Sequence, residues 1–179
     1  MKLLSGLAIA ALIAAAPAAA RAADPLAVAL STDNSLPVTD TEFDWNGFYA
    51  GVYGVTQMSP AGGMQLGLGV DLGVNARFEF VLVGAEVAVH ALGGGAGGSA
   101  YVQGLGRAGV AATDDIIFYA AGGLGTDVGP IGGTDALVGG GVELALTDAV
   151  SLRGQYLHGF AITGGNPKDQ VSLGANFHF

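Results

Sequence analysis

The chain has 179 residues, with six basic side chains against fifteen acidic ones for a net charge of −9, no cysteine, and 51% hydrophobic residues that coexist with 32 glycines. The acidity excludes nucleic acid as a partner, because nothing is available to neutralise phosphates, and the missing cysteines exclude a disulfide framework. A chain of which only 12% is charged needs either an apolar solvent or a very large core.

The chain begins with Lys2, an apolar run from Leu3 to Ile13, an alanine-rich stretch from Ala14 to Ala20 and the small-x-small site Ala20-Arg21-Ala22. This pattern predicts a secretory signal peptide over residues 1–22. Its strongly apolar part falls short of the ~20 residues a spanning helix needs. Without the leader, Arg77, Arg107, Arg153 and Lys168 face fifteen acidic residues, for a net charge of −11. Residues 23–42 contain Pro25, Pro37 and scattered Ser, Thr and Asp with no sustained period, which predicts a disordered periplasmic linker.

From Asp44 onward the sequence breaks into eight short segments of period two, the spacing of a strand with one apolar face. The first covers about Asp44 to Thr56. The second, Met64 to Val74, sets Met64, Leu66, Leu68, Val70, Leu72 and Val74 against Gln65, Gly67, Gly69, Asp71 and Gly73. The third, Arg77 to His90, opposes the valine stripe of Val81, Val83, Val87 and Val89 to Leu82, Glu86 and His90, and the fourth, Tyr101 to Ala111, places Gln103, Leu105 and Arg107 opposite Val102 and Val110.

The fifth, Ile116 to Gly125, is apolar on both faces, so its orientation stays open. The sixth, Asp135 to Leu146, opposes Glu143 to Val138, Val142 and Leu144; the seventh, Val150 to Phe160, opposes Ser151, Arg153 and Gln155 to Leu152 and Tyr156. The eighth closes the chain, with Val171, Leu173, Ala175, Phe177 and Phe179 on one face and Ser172, Gly174, Asn176 and His178 on the other.

Tight turns are expected at Asn75-Ala76, Thr113 to Asp115 and Thr147 to Ala149, and longer loops near Gln57 to Gly63, Ala91 to Ala100, Thr126 to Thr134 and Ala161 to Asp169. Short turns alternating with longer loops, an even strand count and strands of about 9–11 residues fit a membrane-crossing barrel. Hydrocarbon offers no hydrogen-bond partners, so a sheet within it must close on itself. The expected fold is therefore all-β, an eight-stranded antiparallel up-and-down transmembrane β-barrel over residues 43–179, in the bacterial outer membrane with both termini periplasmic.

Eight strands enclose an interior that side chains can fill. The polar members of the inward face, Asp71, Glu86, Arg107, Glu143 and Arg153 with Gln65, Gln103 and Gln155, are read as a buried network that plugs this lumen. A turn at Thr147 to Ala149 places Glu143 directly across from Arg153, which predicts an ion pair; Glu86 and Arg107 on neighbouring strands are the candidates for a second.

Several stretches carry a family resemblance. Asp44-Trp45-Asn46-Gly47-Phe48-Tyr49-Ala50-Gly51, Val83-Gly84-Ala85-Glu86, Gly104 to Gly109, Tyr119 to Gly123, and Gly140-Gly141-Val142-Glu143 with Ser151-Leu152-Arg153 resemble the porin-like, surface-antigen family of small outer-membrane barrels, of the OmpA and OmpX type. The resemblance implies an eight-stranded outer-membrane barrel. The last strand also resembles the closing strand of such proteins, where the terminal Phe belongs to a signal read by the barrel assembly machinery; Phe177 and Phe179 are the matching positions here. The implied partners are outer-membrane lipids, lipopolysaccharide and that machinery, with the chain a monomer.

Catalytic motifs are poor. His158 followed by Asn166-Pro167 is similar to the PagL deacylases, but the serine that pattern needs two residues after the histidine is Phe160, and a base without a nucleophile does no acyl transfer. Gly104-x-Gly106-x-x-Gly109 lies inside a period-two segment with no helix after it, so it cannot cradle a phosphate. His90, His158 and His178 fall at different heights and faces, and Asp114-Asp115 reads as a solvated turn, so neither cofactor nor metal is expected. The expected function is structural or surface-exposed in the envelope and non-enzymatic, with a narrow pore for small ions or solutes as the alternative.

Overall fold

The computed structural model describes residues 43–60, 63–94, 98–128, 132–164 and 167–179; the expected signal peptide and linker lie outside the described residues. Eight antiparallel strands follow in chain order: β1 Gly47–Ser59, β2 Gly63–Phe78, β3 Val81–Gly93, β4 Ser99–Ala111, β5 Ile116–Asp127, β6 Thr134–Ala145, β7 Val150–Thr163 and β8 Lys168–His178. Each pairs with the next, and β1 pairs with β8 from Tyr49↔His178 to Met58↔Asp169, which closes the barrel.

The faces follow the alternation. Phe48, Leu68, Leu72, Val87, Phe118, Leu173 and Phe177 lie on the exposed outer wall, while Asp71, Glu86, Arg107, Glu143 and Arg153 are buried inside. In β5, whose sequence is apolar on both faces, Ile117, Tyr119 and Ala121 point inward and Phe118 and Leu124 outward. Tyr119 sets that choice, since its hydroxyl donates to Gln155 Oε1 at 2.9 Å, a partner that the outer wall cannot supply.

Two expectations about connections are corrected. Asn75-Ala76 is no turn: β2 continues to Phe78, Asn75 is buried opposite Gly84, and the chain reverses at Glu79-Phe80 with Glu79 at φ 56°. The connections near Gln57 and beyond are also shorter than expected, spanning residues 60–62, 94–98, 128–133 and 164–167. Alternation persists through Gln57 and Met58, which pair with Gln65 and Met64, so the hairpins run on where loops were expected. The strands are 11–16 residues long as a result.

Much of the glycine content serves the interior. Tyr49, Tyr53, Tyr101 and Tyr119 are buried, and each lies over a glycine of the next strand: Gly73, Gly69, Gly125 and Gly141 respectively. A narrow bore accommodates a phenol ring only where the facing wall has no Cβ. At Gly73 an added Cβ would collide with the Tyr49 ring, whereas at the outward Gly104 it would meet nothing within 4 Å. Gly73→Val should therefore destabilise the refolded barrel by about 1–3 kcal/mol through overpacking, and Gly104→Val by less than about 0.5 kcal/mol. Urea unfolding midpoints in detergent decide this, and equal midpoints for the two variants would refute the packing role of Gly73.

Candidate functional site

The interior carries the chemistry of this chain, and all eight strands feed its charged layer. Tyr49 comes from β1, Asp71 from β2, Glu86 from β3, Arg107 from β4, Tyr119 from β5, Glu143 from β6, Arg153 from β7 and Asn176 from β8. Arg107 Nη2 donates to Glu143 Oε2 at 2.7 Å, and its Nη1 lies 3.5 Å from Glu86 Oε2. Arg153 Nη2 donates to Asp71 Oδ2 at 2.7 Å, and its Nη1 to Glu86 Oε2. Tyr49 bridges the two halves, accepting from Arg107 at 2.5 Å and donating to Glu86 at 2.6 Å.

Glu143 is opposite Arg153 in the β6–β7 register, yet the two do not form the ion pair that register predicts. Arg153 reaches across the bore to β2 and β3, and Glu143 instead pairs with Arg107 while accepting from Ser151 at 2.6 Å and Asn176 at 2.8 Å. A lumen this narrow lets side chains meet their counterparts on the far wall, where two carboxylates satisfy one guanidinium. Glu86 and Arg107, the other expected pair, are brought together at 3.5 Å. The Arg107 guanidinium also lies 4.0 Å from the Tyr119 ring centroid, a cation–π contact that helps to hold the charge out of water.

Below this layer, at the end of the barrel where Phe43 and Phe179 lie, is an apolar lid. Phe43, Trp45, Leu82 and Ile117 are buried together, and Trp45 Nε1 donates to the Asp114 carbonyl at 2.9 Å. His178 links lid to network: its ring packs edge-on against Phe43 and Trp45 and stacks on Tyr49, and its Nε2 lies 3.1 Å from Ser151 Oγ. Beside the lid and ahead of β1, the Asp44 carboxyl is held below the usual carboxylate range by hydrogen bonds from the Asn46 backbone and side chain.

A second polar layer sits toward the opposite end. Lys168 Nζ contacts Asp135 at 2.9 Å and Asp127 at 3.0 Å, Tyr101 donates to Asp135 at 2.7 Å, and Tyr53 hydroxyl and His90 Nδ1 are 3.0 Å apart. Between the layers pack Leu105, Tyr119, Ala121, Leu137 and Leu157. Sequence reasoning did not single out the tyrosines, Ser151, Asn176 or the Lys168 cluster; the inward parity of Ser151 and Asn176 was legible, that of Tyr119 was not, and the partners across the bore were not. On the outer wall, His158 Nδ1 lies 2.8 Å from Asp169 Oδ1, and the Phe160 ring packs edge-on against the imidazole at 4.5 Å. Among the described residues, no three His, Cys, Asp or Glu side chains are arranged to hold a metal ion.

The fold defined by this geometry is that of the small outer-membrane barrels. Ail of Yersinia pestis superposes with a TM-score of 0.56 at 12% identity, covering 74% of this chain and 96% of Ail. Neisserial surface protein A gives 0.54 at 13% identity, covering 74% and 97%. The N-terminal barrel domain of Pseudomonas aeruginosa OprF gives 0.50 at 13% identity, covering 72% and 97%. No family model and no curated protein matches the sequence.

The network yields a graded expectation. Glu143→Leu removes the shortest carboxylate contact of Arg107 together with the acceptor shared by Ser151 and Asn176 and should destabilise the barrel by about 3–5 kcal/mol, whereas adding Arg107→Leu should recover part of that loss. Asp71→Asn, which leaves Arg153 its Glu86 contact, should cost less than Glu143→Leu. Urea midpoints of the refolded variants test the ranking; a Glu143→Leu midpoint at the wild-type value would remove the network from the stability of the fold.

Proposed function

We propose that this protein is a non-enzymatic, integral outer-membrane barrel with a structural or surface role in the bacterial envelope. The observation that carries this reading is a bore packed with side chains at successive levels. From one end to the other the interior passes from the Phe43–Trp45 lid through the arginine–carboxylate layer, a packed tyrosine and leucine layer, and the Lys168 cluster. An interior filled in this way stabilises the wall and argues against a wide water path for a solute.

The outer wall supports the membrane half of the reading. Phe48, Leu68, Leu72, Leu173 and Phe177 are all more than half exposed, and a wall that apolar needs hydrocarbon around it. The fold likeness to the outer membrane protein Ail is consistent with that setting. Both ends of the barrel chain leave from the same side, and a secretory leader would place that side in the periplasm. Phe177 on the last strand and Phe179 just beyond it, both exposed, are offered to the barrel assembly machinery; outer-membrane lipids and lipopolysaccharide are the lateral partners, and the barrel acts as a monomer. Asp71, Glu86, Arg107, Glu143 and Arg153 serve as its internal plug. On the outer wall, His158 has an acid partner but Phe160 in place of a nucleophile, which argues against acyl transfer.

Refolded protein should migrate differently before and after boiling, and should give no conductance steps above baseline in a planar bilayer. Reproducible steps that change with Arg153→Ala would overturn the structural role in favour of a narrow pore.

A further inference from the structure

The arginine–carboxylate layer is short of one positive charge. Asp71, Glu86 and Glu143 bring three carboxylates to it, and Arg107 and Arg153 bring two guanidiniums. Lys168 belongs to the other polar layer, where Asp127 and Asp135 hold it. His178 borders the charged layer, but its hydrogen bonds suit a neutral ring. Ser151 gives its proton to Glu143, so its oxygen accepts from Nε2 of His178, while Nδ1 is buried without a partner. A charged imidazole would bury an unpaired N–H there, whereas the neutral tautomer leaves only a lone pair.

The layer is short of donors as well. Asp71 Oδ1, Glu86 Oε1 and Asn176 Oδ1 are buried acceptors without a hydrogen-bond partner. The Asn176 amide has its orientation fixed, because Nδ2 donates to Glu143 Oε1 at 2.8 Å and an ionised carboxylate can only accept. Arg153 serves the other oxygen of Asp71. In the register, Gly51 of β1 stands between Asn176 of β8 and Asp71 of β2, and both side chains lean over it. A Cβ on Gly51 would meet Asn176 Oδ1 and Asp71 Oδ1 first, each nearer than real Cβ contacts come. Two acceptor oxygens thus share one small space over a glycine, and neither has a donor. Asp71 and Asn176 are 2% and 1% exposed, so bulk water does not meet that need.

We propose that one small monovalent cation, sodium or potassium, is held over Gly51 by Asp71 Oδ1 and Asn176 Oδ1. Oxygen donors suit hard cations. A single charge brings the layer to neutrality, whereas a divalent ion would overshoot it. The cation offsets a carboxylate that is otherwise buried in excess and gives both oxygens the partner they lack. A water molecule would satisfy the oxygens and leave the charge. The ion completes the internal plug, and the proposal rests on reading the layer as that plug.

The test is urea unfolding of the full-length barrel, refolded in detergent with sodium, potassium or choline chloride at equal ionic strength, choline being too large for the space. The wild-type midpoint should rise with sodium or potassium above its value in choline and then level off. The rise should reach about 0.5 M urea once the salt exceeds half-saturation roughly tenfold. Asp71→Asn keeps the side-chain shape and removes the charge, and should give one midpoint in all three salts. Gly51→Ala fills the space and should lose the salt dependence too; the gel shift on boiling shows whether it folds, and Asp71→Asn decides alone where it does not. Equal wild-type midpoints in the three salts overturn the cation, whether a water or a proton stands in its place, and so does a salt dependence that survives Asp71→Asn. Failure of the plug is read separately, as conductance steps in a planar bilayer, so the two readings fall to different measurements.

Discussion

Closure of the sheet is the constraint from which the rest of the molecule follows. A strand edge carries a row of unpaired amides and carbonyls, and the β1–β8 pairing removes that edge along ten residue pairs. Once eight strands close, the bore has a fixed and small width. Everything inside must then fit that width, and everything outside is left to face the surroundings without help from a second layer. The exposed leucines and the buried arginines are two results of one geometric decision.

The narrow bore also explains why the interior is polar yet compact. A soluble protein seldom buries two arginines and three carboxylates in one layer, because the desolvation cost exceeds the gain unless each charge is met on several sides. Here the walls curve around the group, so Glu143 is met by Arg107, Ser151 and Asn176 from three strands. The tyrosines complete the enclosure, lying over glycines whose missing side chains make room for them. Small inward residues are thus part of the packing scheme, which accounts for the glycines beneath the tyrosine rings.

The wall and the polar membership of the bore were legible in the sequence, and most of the pairing inside the bore was not. Alternation alone assigned Leu66, Leu68 and Val70 to one face and Asp71 to the other, since every second side chain points the same way. Asn75-Ala76 misled because asparagine favours turns in isolation, whereas its buried place opposite Gly84 is set by tertiary packing. The Glu143–Arg153 pairing failed for a different reason. Register predicts neighbours along the wall, and Arg153 spans the diameter to Asp71 and Glu86, a contact with no sequence signature because it depends on closure. Asp169 beside His158 escaped notice on similar grounds, since it required the β7–β8 register to be known.

The Phe43–Trp45 lid carries an implication for how the barrel comes together. Trp45 precedes the first strand, yet its indole is fixed by the carbonyl of Asp114, in the turn between β4 and β5, and by the ring of His178 at the end of the last strand. Those three places are far apart in the chain and become neighbours only when the sheet has wrapped fully round. As the single tryptophan of the sequence, Trp45 is a built-in optical reporter whose surroundings form only when those three places meet, so that its emission reports closure of the ring.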